Sequence, residues 1–338
     1  MPLGVIDTKG TAPGTVLLQD GEGISKAQDL KHGAGKSANI VLVPQPSSDP
    51  NDPLNWPRWK KDTVFFVIFF STIVLAAVPA PILSSAVVVL SLELGKSLND
   101  ISELSGYQLL VVGCFGPIVC ALATKYGKRP QFVFASIMAV IGTAICVGAR
   151  DKYDMLFAGR LIQGFGTTAF ESLSVAALGD IYFVHERPMR TGIMVLTLTC
   201  VSALAAIIGG PITEHLGWRY LFIIHLPFVV ICCPATVFFL PETQYTRQVA
   251  TPSASQGDVQ KPPSSGLRDD KISDTMIVDR SREAAEDSLM LPKKTFRQEL
   301  SLYNGSYSQR NLVELAISPL LTLLNPSIMW VSCALEDV

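Results

Sequence analysis

Charge is what this sequence has little of. Asp, Glu, Lys and Arg make up 17% of its 338 residues, against 49% hydrophobic, and a soluble domain of this length carries more. The formal net charge is −2, which offers a nucleic acid no electrostatic hold and excludes that partner. Cysteine is scarce too: Cys114, Cys120, Cys146, Cys200, Cys232, Cys233 and Cys333 are all there are. Each falls in an apolar run, so they read as small packing residues and not as a disulfide framework, and the adjacent Cys232 and Cys233 lack metal-ligand spacing. The amino terminus has no basic stretch followed by an apolar one, so a cleaved leader is not expected. A complete phosphate cradle is missing as well. GAGKS at 33–37 resembles the end of a phosphate-binding loop, but Leu30 stands where the first glycine belongs, and no β-branched strand leads into it. With no nucleophile arrangement, metal cluster or cofactor motif, an enzyme is not expected.

What is present is apolar length. Between 64 and 240 the sequence falls into blocks of roughly 20 residues or more, each enough to cross a ~30 Å hydrocarbon core. The expected class is an all-α polytopic membrane protein. Six spans are expected at about Val64–Leu90, Leu104–Ala123, Gln131–Ala149, Tyr153–Ile181, Met189–Ile212 and Trp218–Leu240. Pro79 and Pro81 should kink the first, and Trp56, Trp59, Lys60 and Lys61 should anchor its start at headgroup level. Residues 1–60 read as a disordered tail, 61–240 as the six-helix unit, 241–311 as a flexible central loop rich in Ser, Pro, Gly and charge, and 312–338 as a seventh span carrying Pro319 and Pro326.

Arg58, Lys60, Lys61, Lys125, Lys128, Arg129, Arg187 and Arg190 fall on one side of this zigzag, and Lys96, Arg150, Lys152 and Arg219 on the other. The richer side should be cytoplasmic, together with the N-terminus and the central loop. NGS at 304–306 would then stay unglycosylated. The plasma membrane is the expected location.

The fourth span, GRLIQGFGTTAFESLSVAALGD, keeps two ionisable groups. Arg160 and Glu171 are eleven positions apart, so on a helix they differ by only about 20° in direction and roughly 16 Å in depth. Thr167 and Ser174 lie within about 40° of that direction and Gln163 about 60° to one side, a polar stripe on an apolar helix. Lipid exacts a few kcal/mol for a mid-depth charge, so the stripe should face protein or a watery cavity, lining a path for a small organic solute and protons. A desolvated Glu171 could load a proton or attract a cationic solute. The bland alternative has Arg160 reaching the outer interface and Glu171 making a static hydrogen bond. Asp180 is a weaker candidate, placed to meet Arg187 or Arg190. The aromatics of the first and sixth spans read as packing or lipid-facing surface.

These residues resemble the major facilitator superfamily, particularly its fungal drug:proton antiporter and general-substrate branch, over about residues 50–338. In CALATKYGKR, residues 120–129, Lys125, Gly127, Lys128 and Arg129 match the family's loop between spans two and three, with Cys120 and Thr124 in place of its Gly and Asp. RLIQGFG, residues 160–166, matches the span-four pattern whose Arg the resemblance implicates in proton coupling. GIMVLTLTCVSALAAIIGG, residues 192–210, is similar to the exporters' glycine-rich fifth span. Gly192, Gly209 and Gly210 fit there, while Val201, Ala205 and Ala206 replace other members of the signature. Gly164, Gly166, Gly192, Gly209 and Gly210 are the expected sites of close helix packing.

The resemblance implies proton-coupled transport of small organic molecules, as drug or toxin export, or as uptake of polyamines and other organic cations. It also implies twelve spans in two halves rocking about a central site. The sequence supplies the first half, a linker and one further span, so a truncated second half, a partner chain, or a non-transporting fragment or modulatory subunit are the expectations left open.

Overall fold

A computed structural model describes residues 42–47, 49–150, 152–245, 293–303 and 305–322. Most of the expected tail (1–41), the middle of the central loop (246–292), Asn304 of the NGS triplet and the end of the seventh span, with Pro326 and Cys333, lie outside the described residues.

All regular structure among the described residues is helical. The first span runs as α1 (Arg58–Thr72), a π-helical turn (Ile73–Ala77) and α2 (Pro79–Ser84). After it come α3 (Val87–Leu94), α4 (Leu98–Tyr126), α5 (Arg129–Gly148), α6 (Tyr153–Ile181), α7 (Arg187–Leu216) and α8 (Arg219–Phe239). Short helices at Phe296–Glu299 and Leu312–Thr322 follow. Five of the long helices, Arg58–Ser84, α4, α5, α7 and α8, are long and apolar enough to cross a membrane. At 29 residues α6 is as long as α4, but Arg160, Gln163 and Glu171, set among Gly, Ser and Thr, leave it less apolar than the other five.

Local chemistry sets the ends. Ser97 Oγ accepts from the Asp100 N–H while the Asp100 carboxylate accepts from the Ser97 N–H, both at 3.2 Å, a capping box that starts α4. Gly127 ends α4 with φ +103°, and Pro130 and Pro188 occupy the first turns of α5 and α7, where a missing N–H costs nothing. The kink expected at Pro79 and Pro81 is present as the π turn and the break into α2.

α6 is the central helix, packed against α5, α4 and α1. The chain reverses so that Lys61, Lys128, Tyr182 and Glu242 share one end of the bundle, here termed the basic end. One apolar core lies toward that end and includes Ile68, Phe132, Phe170, Leu178 and Val229. A second lies toward the opposite end and includes Leu90, Leu104, Cys146, Leu156 and Trp218. By contrast α7 is largely uncovered.

Several expectations are corrected. Residues 42–57 do not behave as a tail. Asp52 is buried and caps the 3-10 turn Pro53–Asn55 through the Leu54 N–H at 3.0 Å, and the Val43 carbonyl accepts from the Val184 N–H at 2.8 Å. Lys61 does not reach for headgroups: it is buried and donates to the Leu54 carbonyl at 2.9 Å. Lys60 sits over the Trp56 ring and pairs with Glu299 at 2.7 Å. Parts of the central loop are docked as well, through that pair, through Lys294 N–H to Asn51 Oδ1 at 2.9 Å, and through Tyr307 N–H to the Lys125 carbonyl at 2.8 Å. Of the six described cysteines, Cys114 and Cys200 are exposed and pack no core.

Candidate functional site: a polar layer between two apolar cores

Between the two cores the helices present polar side chains at one level: Gln108 of α4, Thr143 of α5, Arg160, Gln163 and Thr167 of α6, and His225 of α8, all buried. The level is set by proline. Pro79 has no N–H and follows a π turn, so the regular α-helical bonding of the carbonyls one turn before it is interrupted, and in an apolar bundle they must find other donors. Thr167 Oγ donates to the Leu75 carbonyl at 2.9 Å, and the His225 ring sits 2.9 Å, through Nε2, from the Val74 carbonyl. A break in the first span thus recruits side chains from the fourth and sixth.

Arg160 is fully buried. It does not reach the outer interface, because three acceptors hold its Nη1: the Pro79 carbonyl at 2.7 Å, Gln108 Oε1 at 2.9 Å and Gln163 Oε1 at 3.1 Å. Gln163 Nε2 in turn donates to Thr143 Oγ at 3.1 Å. The Phe222 ring covers the guanidinium, 4.9 Å from its centroid. Among the described residues no carboxylate pairs with it; ion pairs join Lys60 to Glu299, Lys128 to Asp180 and Arg190 to Asp62, all at the basic end.

The stripe expected on α6 divides. Arg160, Gln163, Thr167 and Ser174 share the buried face, Ser174 meeting Thr72 Oγ at 2.8 Å. Glu171 does not join them. It is exposed, so the static hydrogen bond of the bland alternative is absent among the described residues.

A second cluster occupies the basic end. Lys128 Nζ donates to the Asp180 carboxylate and, at 2.9 Å, to the Ala176 carbonyl. Asp180 pairs with Lys128, a partner the sequence reading did not offer it. Arg190 lies over the Tyr182 ring beside Asp62, and Arg187 donates to the Tyr182 carbonyl at 2.9 Å. The Lys128 and Arg129 backbone N–H groups both donate to the Glu242 carboxylate, at 3.0 and 3.2 Å, and the Arg129 guanidinium donates to the Leu240 and Val237 carbonyls at 2.8 Å. Burial raises the Glu242 carboxyl above its ordinary value, with backbone N–H groups acting the other way. Gly127 is required here: a Cβ would sit 2.2 Å from Glu242 Oε2 at an already unfavourable φ. Lys125 stays outside the cluster, its ammonium over the Tyr126 ring. Thr124 only bonds back to the Cys120 carbonyl at 2.8 Å.

Of the packing glycines, Gly164 abuts Val111 and the Gln108 carbonyl, Gly166 abuts the Ala139 backbone, and Gly209 abuts Ser85. Gly192 and Gly210 do not pack closely: nothing lies within 4 Å of a Cβ at either. Gln108, Phe222, His225 and Glu242 escaped the sequence reading. A single Gln or His in an otherwise apolar span is itself the signal that would have found two of them.

This geometry defines an integral membrane protein whose helices bury a cation at the level of a broken first span. The family model of the Major Facilitator Superfamily matches residues 63–335, and the chain belongs to that superfamily. An uncharacterised MFS-type transporter of Schizosaccharomyces pombe is 27% identical over 245 residues, 70% of this chain and 40% of that protein. The MFS-type efflux pump LUC4 of a Fusarium species is 30% identical over 198 residues, 57% of this chain and 35% of that protein. Among solved structures, the human organic anion transporter MFSD10 matches with a TM-score of 0.40 at 18% identity, over 56% of this chain and 49% of that one. The chain spans well under half the length of these curated relatives.

Proposed function

We propose that the chain forms the amino-terminal half of a secondary transporter that exports small organic molecules in exchange for protons. The buried Arg160 carries this reading. A cation held out of water without a counter-charge costs several kcal/mol, and a bundle stabilised only by packing gains nothing from it. Gln163, Thr167 and Ser174 are the polar lining, and Glu171, exposed and close in direction to Arg160, is the carboxyl that loads the proton. Export is favoured by relatives whose names call them efflux pumps. The loop of Lys125, Gly127, Lys128 and Arg129, clasped by Asp180 and Glu242, holds one conformation. The basic end faces the cytosol, as the Lys and Arg bias requires, in the plasma membrane, and the opposite wall of the pathway comes from a second half or a partner chain.

A second reading, proton-driven uptake of polyamines or organic cations, is favoured by the exposed Glu171 carboxylate. Cells expressing the protein separate the two by excluding or accumulating labelled polyamines and cationic dyes. In either case Glu171→Gln should abolish proton-driven flux with the protein still in the membrane; unchanged flux rejects its role.

A further inference from the structure

The geometry points to a carboxylate-binding site on the free edge of Arg160, which makes organic acids the solute class. This inference rests on the transport reading and deepens it. All three acceptors around the guanidinium converge on Nη1. Nε and Nη2 have no hydrogen-bond partner among the described residues, although both are buried. These two nitrogens share one edge of the planar group, and their parallel N–H bonds match the two oxygens of a carboxylate. An arginine serving structure alone would be satisfied all round, since buried polar groups are rarely left unpaired.

The surroundings supply the guanidinium with no counter-charge among the described residues. Phe222 fixes the guanidinium plane from one face. The described ion pairs all lie at the basic end, so no carboxylate of the described chain neutralises Arg160. His225, three residues beyond Phe222 on α8, donates through Nε2 to the Val74 carbonyl, so its Nδ1 is an acceptor, buried without a partner among the described residues, and adds no positive charge beside Arg160. Cys146 is the titratable group that faces Arg160 from α5. An ammonium solute at this edge would face the like charge of the guanidinium, whereas a carboxylate would receive two charge-assisted hydrogen bonds.

The test uses the full chain in lipid nanodiscs with 15N-labelled arginine. Sodium benzoate is the probe, with benzamide as its uncharged and benzylamine as its cationic counterpart. Saturable benzoate binding is expected, together with a shift of one arginine Nε–H resonance that is missing in Arg160→Gln. Benzamide and benzylamine should bind roughly tenfold or more weakly, and Arg160→Lys, which keeps the charge and lacks the fork, should weaken benzoate binding by about the same factor. Absence of saturable benzoate binding, equal binding of benzamide, or full binding by Arg160→Gln would overturn the inference. An Nε–H resonance already typical of an ion pair and unmoved by benzoate would also overturn it, because the carboxylate would then be the protein's own. Should Arg160→Gln fail to fold, the wild-type resonance alone decides. Transport itself is judged separately by flux, so failure here leaves that reading standing on its own test.

Discussion

Thr167 Oγ lies 2.9 Å from the Leu75 carbonyl oxygen, the acceptor left without a helical donor because residue 79 is proline. The bond ties the middle of α6 to the break in the first span, and it is shared with the Gln163 carbonyl at 3.1 Å. Thr167→Val keeps the shape and removes the donor. It should cost about 1–3 kcal/mol of stability, the penalty for an orphaned buried carbonyl. Pro79→Ala returns an N–H to the Leu75 carbonyl, so in that background the same substitution should cost less than about 1 kcal/mol. Denaturant or thermal unfolding of the four proteins in detergent checks the coupling; equal costs in both backgrounds would show that proline does not create the need for Thr167.

Two glycines that look alike in sequence should respond differently. A Cβ on Gly166 would stand 2.6 Å from Ala139 Cα and N, which are backbone atoms that cannot swing aside, while Gly192 meets nothing within 4 Å. Gly166→Ala should force α5 and α6 apart and destabilise by about 1–3 kcal/mol. Gly192→Ala should be neutral or slightly stabilising, by up to about 1 kcal/mol, because Ala has the higher helix propensity. The unfolding midpoints of the two variants make the comparison.

Glu242 makes the clasp at the basic end sensitive to rising pH. Its carboxyl is raised above the ordinary value of 4.5, chiefly by burial. The folded chain therefore holds this proton to higher pH than the unfolded chain does. Its contribution to stability is complete below 4.5 and is lost as pH rises through the folded value. Thermal unfolding followed from about pH 4 upward, across the carboxylate region, should show this loss, and Glu242→Gln should flatten it. A slope that survives in Glu242→Gln belongs to another group.

The fold was legible because five spans announce themselves by length and hydropathy, and the kink by Pro79 and Pro81. The candidate site was legible only along one helix. Arg160, Gln163, Thr167 and Ser174 could be aligned by angle because all sit on α6, but direction does not tell which neighbours cover a face. Glu171 matches Arg160 in angle and is nevertheless exposed. The partners of Arg160 come from positions 79, 108 and 222, separated in sequence and joined only by packing. Lys128 as a partner of Asp180 was hidden for a related reason: Arg187 and Arg190 are its near neighbours in sequence, whereas Lys128 arrives from the turn between α4 and α5. Docking of residues 42–57 rests on the Asp52 cap and on backbone bonds, neither of which shows in composition.

Vesicles carrying the protein and a trapped pH indicator, given a gradient of organic solute, provide the most direct test of the central claim that the Arg160 layer couples solute to protons. Wild-type protein should move protons when solute moves, and Arg160→Gln, present in equal amount, should lose that movement by a factor on the order of a hundred or more. Proton movement of equal rate in both proteins would contradict the account.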